Sequence, residues 1–284
     1  MKKVSPFIIG IIVICTIGTI MQIPFDKIPI TGHFTPFQTE YLALTLKMGL
    51  IFCVGMIGIK KFRLKHLSGL SPNYKWTSKL LNLIPIYLFF IGVSAFMGKD
   101  ITTVSIANVL LLLFACLAVG FAEEFIFRGF LQPIFIRKFI SKKNGVFLGI
   151  FFPAIFFGAS HLLNLTVNDN VLQVIVQSIY ALLIGFFFGV LILKTNRLLP
   201  VAITHGLINF FFLFNSLPNL NGQADVISEP QTPMTVTMQI LTSFAPLILF
   251  LPLFIVGILI LRKVEKEQIQ KKLDNQLQLY SSAR

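Results

Sequence analysis

Six polar or charged residues lie within long apolar stretches of the sequence, where such side chains are costly. They form three groups: Glu123-Glu124-x-x-x-Arg128, His161, and His205-x-x-x-Asn209. An ionisable side chain at the centre of a membrane span costs about 2.5–3.5 kcal/mol on insertion scales and normally faces a bundle interior or a water-filled cavity. These residues are therefore the candidates for chemistry.

The first group contains two carboxylates with different predicted roles. Glu124 and Arg128 are four residues apart, share a helix face, and are expected to form a supporting ion pair. Glu123 lies about 100° further around the helix and has no charged partner three or four residues away. An unpaired carboxylate of this kind suits a proton acceptor, so Glu123 is the predicted base.

The histidine groups have structural interpretations as well as catalytic ones. A single membrane histidine such as His161 is often only a hydrogen-bonded packing residue. His205 and Asn209 also share one helix face, where such pairs commonly clamp neighbouring spans together.

The elements that must position these residues are membrane spans. Hydrophobic residues make up 55% of the 284 residues and charged residues only 12%, with a mean hydropathy of +0.83, which lies outside the range of soluble domains. A span needs about 20 apolar residues. The sequence predicts an all-α bundle of about eight transmembrane helices, near residues 6–23, 41–59, 80–97, 105–136, 146–163, 171–193, 198–216 and 237–261.

The order of the spans predicts that the polar groups meet at one depth. The stretch 105–136 is too long for a straight span of about 30 Å, so it must tilt, bend or protrude. A hairpin centred near residue 142 places Glu123 and His161 at equal distances from the turn. The seventh span enters from the same side and brings His205 and Asn209 about 12–18 Å inward.

A carboxylate, two imidazoles and a carboxamide in an apolar surround support hydrolysis by activated water. Glu123 would accept a proton from water with the help of His161, while His205 and Asn209 would stabilise the oxyanion. In a second version, Glu123, His161 and His205 bind a divalent metal such as zinc, and Glu124 is the spare base. Both versions stay open at this stage.

The net charge of +13 reflects orientation in the membrane. With the N-terminus placed in the cytoplasm, Lys and Arg concentrate in the inside segments, at residues 2–3, 60–79, 137–143, 194–197 and 262–284. The outside segments hold only Lys27 and Lys99 beside several acidic residues. This positive-inside bias predicts that both termini are cytoplasmic, with the lipid bilayer as a partner. The sequence shows no basic groove with stacking aromatic residues, so it does not indicate nucleic-acid binding.

The three groups resemble the motifs of the CAAX-protease and bacteriocin-processing (CPBP, or Abi) family of intramembrane endopeptidases. The pattern EExxxR, FxxxH and HxxxN is complete here, in order, as Glu123–Arg128, Phe157–His161 and His205–Asn209. The resemblance covers about residues 105–216.

The resemblance implies an eight-helix membrane fold whose catalytic cavity opens to the cytoplasmic side. It implies peptidase activity with Glu123 as base, completed by His161, His205 and Asn209 and supported by Glu124 and Arg128. The family is labelled metalloprotease, although the role of metal is disputed. The implied substrate is a membrane-associated peptide or protein. Richness in Phe, Ile and Lys is typical of an A/T-rich bacterium, which predicts the bacterial plasma membrane as the location.

Three regions are predicted: a three-span segment at residues 1–104, the catalytic core at 105–216, and an outside loop, last span and cytoplasmic tail at 217–284. Two other functions remain as alternatives to an intramembrane peptidase. One is a non-catalytic immunity or scaffold protein with the same fold, although none of the motifs is degenerate. The other is a proton-coupled transporter, although no repeated halves are evident.

Overall fold

A computed structural model describes residues 4–27, 34–70, 83–220 and 236–262, and within these ranges the protein is helical. The helices are α1 (Pro6–Met21), α2 (Pro36–Lys61), α3 (Leu83–Met97), α4 (Ile106–Glu123), α5 (Gln132–Phe139), α6 (Gly145–Ser160), α7 (Val171–Thr195), α8 (Leu199–Leu213) and α9 (Val236–Leu261). The described residues form no β-strand, only one isolated bridge between Val104 and Asn219.

The predicted all-helical membrane fold is confirmed. Seven helical stretches are long and apolar enough to cross a membrane, and they correspond to seven of the eight predicted spans. In the place of the remaining one, the described part of the chain has a shorter apolar helix, Ile84–Met97. The sides on which the termini lie stay a prediction, and residues 1–3 and most of the predicted tail lie outside the described ranges.

Local sequence signals explain where several helices begin and end. A proline occupies the first turn of α1 and of α2, where a missing N–H costs nothing. Thr35 and Gln38 form a reciprocal capping box at the start of α2. Asn170 caps α7, and Asn196, at φ 56°, ends it in the left-handed conformation that asparagine tolerates.

The long stretch 105–136 is one continuous helical element with a change of winding in the middle. It runs from Ile106 to Phe139, and residues Glu124–Leu131 form a π-helix between α4 and α5. All eight residues of the π-helix are buried. π-Helical turns are rare and occur frequently at functional sites, and this one begins directly after the predicted base.

Of the helices that carry the three motifs, α4 packs directly against α8, and the π-helix contacts both α6 and α8. The most extensive contacts join α7 to α9, α4 to α8, α6 to α7, and α2 to α4. The π-helix packs mainly against α2. The core between these elements is rich in phenylalanine, and Phe127, Phe135, Phe157, Phe186 and Phe188 are all fully buried.

Candidate active site

Glu123 and Glu124 stand at the junction of α4 and the π-helix, and they differ sharply in exposure. The side chain of Glu123 is 19% exposed, whereas that of Glu124 is fully buried. Glu124 has the predicted partner: its Oε1 lies 2.9 Å from Nη1 of Arg128, one turn further on. These two atoms meet at ion-pair distance without hydrogen-bond geometry, and Oε2 of Glu124 has no hydrogen-bond partner among the described residues.

The guanidinium of Arg128 packs on an aromatic ring and fills the space that a glycine leaves open on a neighbouring helix. Its guanidinium carbon lies 4.0 Å from the ring centroid of Phe157, a cation–π contact between the first two motifs. A Cβ atom at Gly185 of α7 would lie 2.6 Å from Nη2 of Arg128, so only glycine leaves room for the guanidinium there. The arginine is 1% exposed, and a charge buried this deeply requires its carboxylate.

The imidazole of His205 lies between the two glutamates and contacts each with a different nitrogen. Nδ1 is 2.9 Å from Oε1 of Glu124, a hydrogen bond in which the ring N–H donates to the carboxylate. Nε2 is 3.5 Å from Oε2 of Glu123. The side chain is 8% exposed and packs against the rings of Phe157 and Phe188. Glu123 has no partner on its own helix, as expected, but the sequence did not reveal this interhelical one.

Two glycines allow α4 and α8 to approach closely enough for this contact. A Cβ atom at Gly120 would lie 2.4 Å from the carbonyl oxygen of Ala202 and 2.5 Å from the amide nitrogen of Gly206. A Cβ atom at Gly206 would lie 2.8 Å from Cα of Leu117. Gly120 precedes Glu123 by about one turn, and Gly206 follows His205 directly. The backbones therefore cross where the glutamates and the histidine must meet.

His161 stands where α6 changes into a short 3₁₀-helix, His161–Thr166. Its Nδ1 is 2.9 Å from the carbonyl oxygen of Phe157, and since a carbonyl only accepts, Nδ1 carries the hydrogen. Nε2 is then a free acceptor. The ring also meets that of Phe157 edge-on, at 4.8 Å between centroids. These two contacts fix the orientation of the imidazole.

One cavity brings the four predicted catalytic side chains together. Its volume is about 420 Å³, and Glu123, His161, His205 and Asn209 all line it. Glu124 and Arg128 do not line it. The carboxamide of Asn209 makes no hydrogen bond to another residue in the described ranges, so its donors are available to a ligand. The remaining wall is largely apolar and comes from α1, α2, α4, α6, α7, α8 and α9.

The three candidate metal ligands do not assemble into a metal site. Within the described ranges, no group of three His, Cys, Asp or Glu side chains is close enough to hold a metal ion. Glu123 and His205 adjoin each other, but His161 does not complete the set. The donor arrangement therefore does not fit a three-ligand zinc centre.

Sequence reasoning missed several polar residues in and near the site. Asn164 and Gln177 line the cavity, and Nδ2 of Asn164 donates to Oε1 of Gln177 at 2.9 Å. Two others, Gln132 and Lys47, lie in spans beside the cavity. Gln132, only 1% exposed, donates from Nε2 to the carbonyl oxygen of Gly189 at 3.0 Å and so ties α5 to α7. Lys47 lies within the second span, and its Nζ donates to the carbonyl oxygen of Met21 at the end of α1. Both could have been found as isolated polar residues in apolar spans, the signal that identified the other groups.

Comparison with known families bears on the segment that carries this site. A family model described as type II CAAX prenyl endopeptidase Rce1-like matches residues 105–211. Residues 105–211 form an Rce1-like domain. The resemblance drawn from the three motifs is thereby confirmed. The Rce1-like domain runs from the start of α4 into α8 and so contains all six motif residues.

Together, the apolar helices and the Rce1-like domain support a multi-pass membrane protein in which residues 105–211 are similar to CAAX-type endopeptidases. No curated protein and no solved structure matches the chain.

Proposed function

We propose that this protein is an intramembrane endopeptidase that hydrolyses a peptide bond of a membrane-associated peptide or protein with water activated by Glu123. The observation that carries the proposal is the convergence of Glu123, His161, His205 and Asn209, from three separate motifs, on one cavity within a membrane-embedded Rce1-like domain.

The base is Glu123 and not Glu124, because only Glu123 reaches the cavity. Its carboxylate is partly exposed there, whereas Glu124 is buried and already bound to Arg128 and His205. Glu124 instead orients the ring of His205 by accepting from Nδ1, which turns Nε2 towards Glu123. Nε2 of His161 is free to accept from the same water and hold it in place.

The reaction then proceeds in two proton-balanced steps. Glu123 accepts a proton from water while the water oxygen bonds to the carbonyl carbon, and the electron pair of the C=O bond moves onto the oxygen. The carboxamide of Asn209 and the ring of His205, which Glu124 holds in place, donate hydrogen bonds to this oxyanion. As the carbonyl re-forms, the C–N bond breaks and Glu123 returns its proton to the leaving nitrogen. The products are a carboxyl group and an amine. No step passes through a metal, because the donor set does not fit one.

The test compares the peptides of cells that carry the wild-type protein, Glu123→Gln, or the control Glu40→Gln. Glutamine keeps the shape of glutamate but cannot accept the proton. Glu40 lies exposed near the start of α2 and does not line the cavity. We expect a substrate to accumulate uncut only in Glu123→Gln cells, at equal amounts of folded protein. In ¹⁸O-labelled water, the new carboxyl group should gain one heavy oxygen. Full processing by Glu123→Gln would refute the mechanism.

A further inference from the structure

In the described ranges, three loops at one end of the bundle and the helix ends beside them carry most of the exposed positive charge. The loops follow α2 (62–70), join α5 to α6 (140–144), and join α7 to α8 (196–198). Leu198 donates its N–H to the carbonyl oxygen of Gly69, and Arg137 donates to the carbonyl oxygens of Phe62 and Arg63, so the three loops are adjacent. The exposed cations in and beside them are Lys60, Lys61, Arg63, Lys65, Lys138, Lys142, Lys143 and Lys194. We call this the basic end.

The catalytic cavity lies in the half of the bundle away from the basic end. Helices α6 and α8 begin at the basic end, and their cavity residues lie further along, from Phe157 to Asn164 and from His205 to Leu213. Helices α2 and α7 finish there, and their cavity residues lie in their earlier parts. At 1.5 Å per residue, the lining residues stand about 10–30 Å from the basic end.

Buried side chains of one helical element lie between Glu123 and the basic end. Glu123 is 19% exposed, but Glu124, Arg128 and Gln132, which follow it towards the basic end, are at most 1% exposed. Phe135, one turn further, is fully buried. These buried side chains lie between Glu123 and the basic end, which favours entry of water or a peptide from the opposite end or from the surrounding lipid.

The distribution of charge indicates which end of the bundle faces the cytoplasm. Loops rich in Lys and Arg stay in the cytoplasm, which assigns the basic end to the cytoplasm. The opposite end carries Asp26, Asp100 and Asp169 against Lys27 and Lys99 in the described ranges. The family resemblance implied a cavity open to the cytoplasm, whereas the positive-inside pattern in this fold favours the opposite side.

We propose that the catalytic cavity opens to the extracytoplasmic side, and that the substrate is a peptide segment presented from that side. The second half of this proposal rests on the proposed peptidase function, whereas the sidedness of the cavity does not. A scissile bond that remains in the cytoplasm cannot reach Glu123. The fitting substrates are exported or membrane-anchored peptides whose scissile bond lies in the outer half of the membrane or beyond it.

Cysteine labelling in intact cells tests the sidedness without any need for activity. In a variant with the three native cysteines replaced by alanine, single cysteines are introduced as Leu213→Cys in the cavity wall, Asp169→Cys in the opposite loop, and Lys143→Cys at the basic end. Each variant is first shown to elute as folded protein. A membrane-impermeant maleimide is then added before or after permeabilisation.

We expect Leu213→Cys and Asp169→Cys to react in intact cells, and Lys143→Cys to react only after permeabilisation. Reaction of Leu213→Cys only after permeabilisation, or not at all, overturns the proposal. So does an inverted pattern for Asp169→Cys and Lys143→Cys. Failure of the peptidase function would show separately, as equal processing by wild-type protein and Glu123→Gln. If both proposals hold, the peptide that accumulates in Glu123→Gln cells has its cleavage site in an extracytoplasmic segment.

Discussion

The close crossing of α4 and α8 at Gly120 makes a quantitative prediction for Gly120→Ala. The new Cβ would lie 2.4 Å from the carbonyl oxygen of Ala202, whereas ordinary contacts begin at 3.4 Å. The obstacle is backbone and cannot rotate away, so the two helices must separate by about 1 Å. Overpacking of this kind destabilises the folded state by about 1–3 kcal/mol. Alanine in place of glycine within a helix stabilises it by about 0.5–1 kcal/mol. A net loss of stability is expected.

The same displacement should affect turnover more strongly than stability. The separation moves His205 away from Glu123 and Glu124, and a misplacement of about 1 Å in an active site costs about 100-fold in rate. We therefore expect Gly120→Ala to retain some folded protein but to process substrate about 100-fold more slowly.

Gly49→Ala is the matched control, because a Cβ at Gly49 of α2 meets no atom within 4 Å. Thermal unfolding of both purified variants in detergent gives the stability difference, and substrate processing per folded molecule gives the rate. Gly49→Ala should match or exceed wild-type stability. If Gly120→Ala unfolds at the same temperature as Gly49→Ala and cleaves at the wild-type rate, the proposed close crossing is wrong.

Three further substitutions probe the polar residues around the site. Arg128→Met leaves the buried Glu124 without its cation, which should cost about 3–5 kcal/mol of stability and reduce the folded fraction in size-exclusion chromatography. Adding Glu124→Gln should restore most of the folded fraction. If it restores none, the ion pair does not have this role. Gln132→Leu removes the side-chain hydrogen bond to the carbonyl of Gly189 and should lower the unfolding temperature, at a cost of about 0.5–1.5 kcal/mol. An unchanged temperature would contradict a role for that hydrogen bond. Asn209→Ala should lower kcat by about 10²–10³-fold with little change in KM, as loss of an oxyanion donor does; a change in KM alone would assign Asn209 to binding.

The membrane fold follows from the sequence because its signals are local. A run of about 20 apolar residues has to satisfy its backbone hydrogen bonds internally, and a helix does this without help from distant residues. The ion pair of Glu124 and Arg128 was predictable for the same reason, since residues four apart meet on any helix. The three motifs and their order also sufficed to indicate the family.

The arrangement of the site depended on packing between helices, which no local pattern specifies. The sequence placed Glu123 and Glu124 on different sides of one helix, but the structure directs both at the single ring of His205, at the junction of α4 and the π-helix. The glycines that permit this crossing, Gly120 and Gly206, have no distinctive local signal, because the requirement for glycine arises from the backbone that approaches from another helix.

The sequence by itself determined that the protein crosses a membrane repeatedly, and it singled out the residues that we propose to carry its chemistry. Only the tertiary structure decided that Glu123 reaches the cavity while Glu124 is buried. Only the tertiary structure showed that the predicted metal ligands do not assemble in the described ranges. It also placed the cavity in the half of the bundle away from the basic loops. Burial and cavity shape depend on contacts among many helices, so no local stretch of sequence specifies them.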